Sequence, residues 1–303
     1  METKAKELVI VGAGHAGSEL AVAARQAGWA GSITLLGEEP VLPYQRPPLS
    51  KAWLAGKVDA DGLLLRPRSA YDGATVALRT GVRMEAIDRG GQCIALDDGT
   101  QMPYDVLALC TGGRPRPLVC VGLDPQSPPR NLHYLRTMAD AEGIRKGLQP
   151  GVRVVVIGGG YVGLEVAASA RGLGAQVVLL EAQPRVLARV AGAEVSEFYQ
   201  GVHRAAGVDL RTGVEVQSVE VQDGEIRAVC CRDGERVPAD MVIAGLGMIV
   251  NVEAARAAGL VEEGGIPVDE LSRTRDEHIL AAGDCTLQYS SQYQRELRIE
   301  SVP

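Results

Sequence analysis

Two glycine strings hold the residues whose spacing is best suited to chemistry. Gly12-Ala13-Gly14-His15-Ala16-Gly17 follows the apolar run Leu8-Val9-Ile10-Val11 and opens Ser18 to Ala27, where Leu20, Ala23, Ala24 and Ala27 recur at helical spacing. Strand, tight turn and helix in that order set unpaired backbone N–H groups and the positive helix end against a pyrophosphate. Gly12 permits the turn, Gly14 admits a phosphate to the backbone, and Gly17 lets helix and strand pack closely. The next strand, Ser32 to Leu36, runs into Gly37-Glu38, whose carboxylate is placed to accept from ribose hydroxyls. From Gly151 the pattern repeats: a strand Arg153 to Ile157, the turn Gly158-Gly159-Gly160-Tyr161-Val162-Gly163, a helix Leu164 to Leu173, and a strand Gln176 to Leu180 that stops at Glu181. A single glycine string is weak, but two complete units, each with its acid where the second strand stops, make two nucleotide-binding units.

Glu181 bears on the choice of nucleotide. A carboxylate suits a free ribose 2′-hydroxyl and repels a 2′-phosphate, which favours NADH over NADPH. Arg185 and Arg189 follow closely in sequence, and either would accept the 2′-phosphate if it faced the ribose.

Between the two units lie further candidates. Pro40 to Lys51 is too proline-rich for a strand and reads as a stiff loop entering a short helix near Lys51-Ala52-Trp53-Leu54. It carries Arg46 and Lys51, either as a solvated basic loop or as cations aimed at a phosphate or an electron-rich ring. Strands are expected at Ala74 to Leu78, Val82 to Ile87 and Cys93 to Leu96, with a hairpin turn at Asp97-Asp98-Gly99. The strand Val106 to Cys110 ends at Thr111-Gly112, where glycine permits close approach to a ligand. Pro115 to Pro129 lacks periodicity and reads as a connection between domains. After the second unit come a helix Ala193 to Ala206, β-rich segments turning at Asp223-Gly224 and Asp233-Gly234, and a closing strand Met241 to Ala244. The last strand, His278 to Ala282, stops at Gly283-Asp284, where Asp284 is either an acceptor for polyol hydroxyls or a helix N-cap.

Composition narrows the function classes. The 303 residues, 46% of them hydrophobic, are enough for two α/β cores. A net charge of −7, spread over 31 basic and 38 acidic residues without a long like-charge run, argues against nucleic acid or an anionic membrane as partner. Aromatic content of 4% leaves few stacking platforms for bases. No apolar stretch reaches the roughly 18 to 20 residues of a bilayer span, and Met1 to Lys6 reads as a short polar lead rather than a signal peptide. The expected location is therefore the cytoplasm. Six cysteines, Cys93, Cys110, Cys120, Cys230, Cys231 and Cys285, include no C-x-x-C and no metal-ligand spacing, so neither a redox dithiol nor a metal site is expected. Cys230 and Cys231 are adjacent in a strand and should face opposite ways.

Several of these strings occur together in one family. Gly12 to Gly17, Arg46-Pro47-Pro48-Leu49-Ser50-Lys51, Thr111-Gly112, Gly158 to Glu165, Ala282-Gly283-Asp284 and Glu300-Ser301-Val302-Pro303 resemble the FAD-dependent ferredoxin reductases of bacterial oxygenase systems, over the whole chain. The arginine-proline-proline-leucine-serine-lysine string is the most specific of them. The resemblance implies an α/β fold of two Rossmann-like dinucleotide-binding domains, the second inserted in the first. The FAD domain would comprise residues 1–116 and 247–303, and the NADH domain residues 117–246. On this resemblance Gly12, Gly14, His15, Ala16 and Gly17 face the FAD pyrophosphate and Glu38 its ribose. Arg46 and Lys51 approach the phosphate and isoalloxazine, Val82 the adenine, and Thr111 and Gly112 the cofactor at a strand end. Arg136 approaches it near the domain junction, Asp284 the ribityl chain, and Val302 the flavin ring edge. Gly158, Gly160, Tyr161, Val162, Gly163 and Glu181 would hold NADH, with Glu165 near nicotinamide and flavin. Lys51 and Glu165 are then the residues at the reacting rings. The resemblance also implies a further C-terminal interface domain of about a hundred residues, absent from this sequence, which ends at Pro303.

The function implied is electron transfer from NADH through FAD to a ferredoxin-type iron–sulfur protein that serves an oxygenase or cytochrome P450. Two rivals remain: a disulfide or peroxide reductase, which the cysteine pattern disfavours, and a non-catalytic flavoprotein that senses NADH by changing shape or oligomeric state.

Overall fold

The computed structural model describes residues 6–300. They divide into two compact units, one reaching to Gln45 and resuming at Ala60–Arg114 and from Ile249 onward, the other made of Arg46–Asp59 and Pro115–Met248. The segment bearing Arg46 and Lys51 thus belongs to the second unit. So does Pro115–Pro129: Leu118, Cys120 and Leu123 pack against that unit's hydrophobic core, and this anchors a stretch that composition alone reads as a connection.

In the first unit, β1 (Glu7–Val11), α1 (His15–Gln26), β2 (Ser32–Gly37), β3 (Ala77–Thr80) and β4 (Val106–Leu109) build a parallel sheet. Its order is Ile279–Ala281, β4, β1, β2, β3. The second unit repeats it with β5 (Arg153–Ile157), α2 (Tyr161–Gly172), β6 (Gln176–Glu181), β7 (Asp209–Thr212) and β8 (Met241–Ala244), in the order β7, β6, β5, β8, Leu132–His133. Within each unit the chain leaves the first strand in one direction and later returns on its other side. The reversal puts a crevice at the C-terminal ends of β1 and β4, and another at those of β5 and β8, where open parallel sheets bind ligands.

Alternation along the first strand of each unit separates two cores. Leu8 and Ile10 of β1 pack with Ala21 and Val22 of α1, while Val9 and Val11 face Ile94 and Leu96 of an antiparallel meander, Met84–Asp88, Cys93–Leu96 and Gln101–Pro103. Likewise Val154 and Val156 of β5 pack with Leu164 and Ala167 of α2, and Val155 and Ile157 face the meander Val216–Gln222, Glu225–Cys231 and Arg236–Pro238. Both faces of the strands are buried, so they read as unbroken apolar runs rather than alternating ones. The hairpin signal at Asp223-Gly224 is a true turn, both residues having positive φ, 55° and 74°. Cys231 is buried and Cys230 half-buried, as opposite-facing neighbours on one strand must be.

Two local expectations need correction. The strand expected at Ala74 to Leu78 begins only at Ala77, because Ala74 closes the helix Arg68–Gly73 and Val76 N–H still donates to Tyr71 O. The short helix expected at Lys51 to Leu54 lies one turn earlier, as a 3₁₀ turn Pro47–Ser50, since Pro47 and Pro48 preset φ for its first residues and have no N–H to satisfy.

The glycine turns generate a stability prediction. A Cβ at Gly163 would stand 2.0 Å from Gly158 O, whereas one at Gly172 of the same helix meets nothing within 4 Å. Gly163→Ala should destabilise by about 1 to 3 kcal/mol through overpacking, and Gly172→Ala should be neutral or stabilising by up to about 1 kcal/mol. Thermal unfolding of both variants checks this; equal melting temperatures would refute the close-packing role.

Candidate functional site

At each crevice the three glycines do different work. Gly12 and Gly158 have φ of 110° and 107°, and a Cβ would meet the carbonyl that ends the returning strand: Cys110 O at 2.1 Å in the first unit and Gly245 O at 2.4 Å in the second. Gly17 and Gly163 let each helix rest on the carbonyl of the first glycine, both at 2.0 Å from a hypothetical Cβ. Gly14 and Gly160, by contrast, have nothing within 4 Å of that position, so the space in front of each helix start is open. These two glycines are also the N-caps of α1 and α2, with no side-chain cap and no acidic residue in either first turn. The first-turn N–H groups therefore have no competing carboxylate, and an incoming anion meets backbone donors and the helix dipole directly. The residues fit a dinucleotide pyrophosphate in both units.

Around the first turn, His15 is exposed and Ala16 half-buried. Thr111 Oγ1 donates to Asn251 O at 2.6 Å, and Asn251 Nδ2 donates back to Thr111 O at 3.1 Å, so a residue with no local sequence signal pins the end of β4 beside Gly112. A Cβ on Gly283 would lie 3.1 Å from Ala16 Cβ, which brings the turn bearing Asp284 against the start of α1. Val82 N–H donates to Gly37 O at 3.0 Å, next to Glu38. Gly12, Gly14, His15, Ala16, Gly17, Glu38, Val82, Thr111, Gly112 and Asp284 thus share one unit and the strand-end edge of its sheet. Val302 lies outside the described residues.

The two acidic residues are not equivalent. Val11 pairs with Leu36 and Ile157 with Leu180, so the counterpart of Glu181 is Gly37, and Glu38 stands one residue farther along. Glu181 turns back onto the glycine turn, where its Oε2 accepts from Gly159 N–H at 2.6 Å and its Oε1 from Gln183 N–H at 2.7 Å. The exchange is steric. A Cβ on Gly37 would be 2.8 Å from Ala13 Cβ, and a Cβ on Gly159 would be 3.1 Å from Glu181 Oε2, so each unit has a glycine on one side of this contact and a side chain on the other. Glu38 remains largely exposed, 3.9 Å from Arg83 Nε. Arg185 is committed elsewhere: its Nη1 donates to Ala191 O and Ser196 Oγ, both at 2.7 Å, and its Nη2 to Ala188 O. Arg189 is exposed, near Gly247. Tyr161 and Val162 are exposed on the first turn of α2, where a bound dinucleotide would cover them.

A third cluster sits within the second unit. Lys51 Nζ lies 2.8 Å from Glu165 Oε2, and the same oxygen accepts from Ser50 Oγ at 2.5 Å. Ser169 Oγ donates to Ser50 O at 2.6 Å, so residues one helical turn apart on α2 clamp the backbone and side chain of Ser50. Arg46 Nη1 donates to Arg136 O at 2.7 Å, immediately before the capping box with which Thr137 and Asp140 start the helix Met138–Gly147. Ser50 and Ser169 are functional candidates that sequence reading missed; Ser50 sits inside the proline-rich string, while Ser169 has no local signal. All six cysteines are free thiols, and burial pushes those of Cys110, Cys120, Cys231 and Cys285 up, away from the reactive thiolate. No group of three or more metal-ligating side chains occurs among the described residues, and no helix among them is long and apolar enough to cross a membrane.

A family model described as pyridine nucleotide-disulphide oxidoreductase matches residues 6–303. The chain belongs to this family. It is 49% identical to putidaredoxin reductase CamA of Pseudomonas putida over 298 residues, which span 98% of this chain and 70% of that protein. It is 42% identical to the probable ferredoxin reductase CtmF of Castellaniella defragrans, over 98% of this chain and 72% of that one. Among solved structures, the reductase chain of the covalent putidaredoxin reductase–putidaredoxin complex superposes with a TM-score of 0.95 at 48% identity, covering 99% of this chain and 72% of its own. The paired-crevice architecture is thus that of a family whose name refers to disulphide chemistry, here in a member with no C-x-x-C.

Proposed function

We propose that this chain is an NADH-dependent flavoprotein reductase that passes electrons through FAD to a ferredoxin-type iron–sulfur protein of an oxygenase or cytochrome P450 system, in the cytoplasm. The observation that carries this reading is the combination, in one chain, of two open glycine crevices with a Lys51–Glu165 pair and no dithiol motif. The relatives named ferredoxin or putidaredoxin reductase support the choice of acceptor. When bound, FAD supplies the capacity to take an electron pair from NADH and release it one electron at a time, which suits an acceptor with a single-electron centre.

The first-unit residues Gly12, Gly14, His15, Ala16 and Gly17 cradle the FAD pyrophosphate, with Glu38 at the ribose, Val82 at the adenine, and Thr111, Gly112 and Asp284 along the remaining chain. Gly158, Gly160, Tyr161, Val162 and Gly163 hold NADH. Lys51 offers a positive charge toward the ring system and Glu165 fixes its position, Ser50 sharing the carboxylate oxygen so that the ammonium does not swing free. Arg46 works from the same rigid segment, held to the carbonyl of Arg136.

Glu181 sets coenzyme choice. Each of its oxygens already accepts one backbone N–H, which aims the carboxylate and leaves lone pairs for the 2′-hydroxyl while repelling a 2′-phosphate. Glu181→Ala should therefore shift kcat/KM toward NADPH, by an amount on the order of 1 to 3 kcal/mol. An unchanged ratio of the two coenzymes would transfer the role to exposed Arg189.

The electron route is tested with the FAD-loaded protein and its cysteine-free variant. NADH should bleach the flavin absorbance in both, and both should reduce a ferredoxin. Loss of bleaching in a folded, FAD-loaded cysteine-free variant would return the chain to disulfide chemistry.

A further inference from the structure

One face of α2 grips the turn that carries Lys51. Glu165 and Ser169 stand four residues apart, so their side chains leave the helix on the same face. Both reach Ser50, which is buried: Ser50 Oγ donates to Glu165 Oε2 at 2.5 Å, and Ser169 Oγ donates to Ser50 O at 2.6 Å. That carbonyl is one edge of the peptide plane joining Ser50 to Lys51, and the other edge, the Lys51 N–H, donates to Pro48 O at 3.0 Å. The plane is pinned on both edges, and the direction in which the Lys51 side chain leaves the backbone is pinned with it. Its ammonium then lies 2.8 Å from the oxygen that Ser50 Oγ also uses, and 3.2 Å from Pro47 O.

The serine at 169 has no local cause. It interrupts a run of small apolar residues, Ala167, Ala168 and Ala170, at an interior position where alanine is the better helix former. A helical serine commonly turns its hydroxyl back to the carbonyl one turn earlier. Here the hydroxyl donates out of the helix instead, to a residue 119 positions away.

The rest of the segment is held independently. Arg46, at the other end of the 3₁₀ turn, donates from Nη1 to Arg136 O at 2.7 Å, and Leu54 is seated in the core of the unit. Losing the Ser169 bond should therefore free the Ser50–Lys51 peptide without unfolding the segment.

We propose, resting on the reading of Lys51 as the cation that faces FAD, that Ser169 is a positioning residue for the reaction: by holding the Ser50–Lys51 peptide it sets where the Lys51 ammonium stands. The test compares the native full chain with Ser169→Ala and Ser169→Thr. Three quantities are measured: trace acetylation of each lysine resolved by peptide mass spectrometry, the melting temperature, and the midpoint potential of bound FAD. Ser169→Ala should acetylate Lys51 about two- to tenfold faster relative to exposed Lys57, the range that one net hydrogen bond sets. It should melt within about 3 °C of the native chain, because the better helix former offsets the lost bond. It should also lower the midpoint potential, since a cation held less firmly beside the ring favours the more negative, reduced form less. Ser169→Thr keeps the hydroxyl and should restore the acetylation rate and the potential. Unchanged Lys51 acetylation in Ser169→Ala overturns the proposal, as does a threonine that fails to rescue. So does a variant that fails to fold, or one that melts much lower with Lys57 acetylated faster as well, since Ser169 would then be merely structural. Faster, threonine-rescued acetylation with a native midpoint potential would leave the clamp standing and overturn its part in the reaction, together with the reading that Lys51 faces FAD.

Discussion

The contact on which the rest of the structure depends is the approach of a helix to the backbone of the turn that precedes it. At Gly17 and Gly163 a side-chain carbon would fall 2.0 Å from the carbonyl of Gly12 and Gly158, so only glycine lets α1 and α2 start where they do. That start fixes the direction of the first-turn N–H groups, and hence where an anion can be held. It also brings α1 and α2 down onto the alternate residues of β1 and β5 that form one core of each unit. Stability and binding geometry are therefore set by the same absence of a methyl group, repeated in two places in the chain.

Repetition of the scaffold leaves room for divergence in detail. The strands, registers and glycine geometry of the two units correspond, yet the side chain that meets the turn comes from opposite partners: Ala13 against Gly37 in the first, Glu181 against Gly159 in the second. In the second unit this draws a carboxylate onto the turn and holds it by two backbone N–H groups. In the first the carboxylate of Glu38 lies one residue beyond the strand and stays in solvent. The two crevices of one fold thereby carry acids of different rigidity beside the glycine turn, and on the proposed assignment each would meet the ribose of a different dinucleotide.

Much of this was legible in the sequence because its causes are local. Buried parallel strands read as apolar runs, a tight turn needs glycine, and the Asp223-Gly224 turn needs positive φ, so the repeated strand–turn–helix units and the meander stand out without coordinates. What was not legible depends on register or on partners distant in the chain. The one-residue offset between Glu38 and Glu181 requires knowing that Leu36 pairs with Val11 and Leu180 with Ile157. Asn251 pins Thr111, and Ser169 clamps Ser50, through hydrogen bonds between residues more than a hundred positions apart. The assignment of Arg46–Asp59 to the second unit has the same origin, since Leu54 packs into that unit's core while nothing in the proline-rich string itself announces it.

The central claim is that one fold, used twice, holds FAD at the first crevice and NADH at the second. Valine at the second glycine of either turn discriminates directly, because both N-caps have extended backbone that a β-branched residue adopts and open space that the new side chain would fill. The measurement is the absorbance spectrum of each purified variant before and after addition of NADH. The account predicts that Gly14→Val folds without a flavin spectrum, and that Gly160→Val retains the flavin but is no longer bleached. Full flavin content in Gly14→Val, or undiminished bleaching by NADH in Gly160→Val, would contradict it.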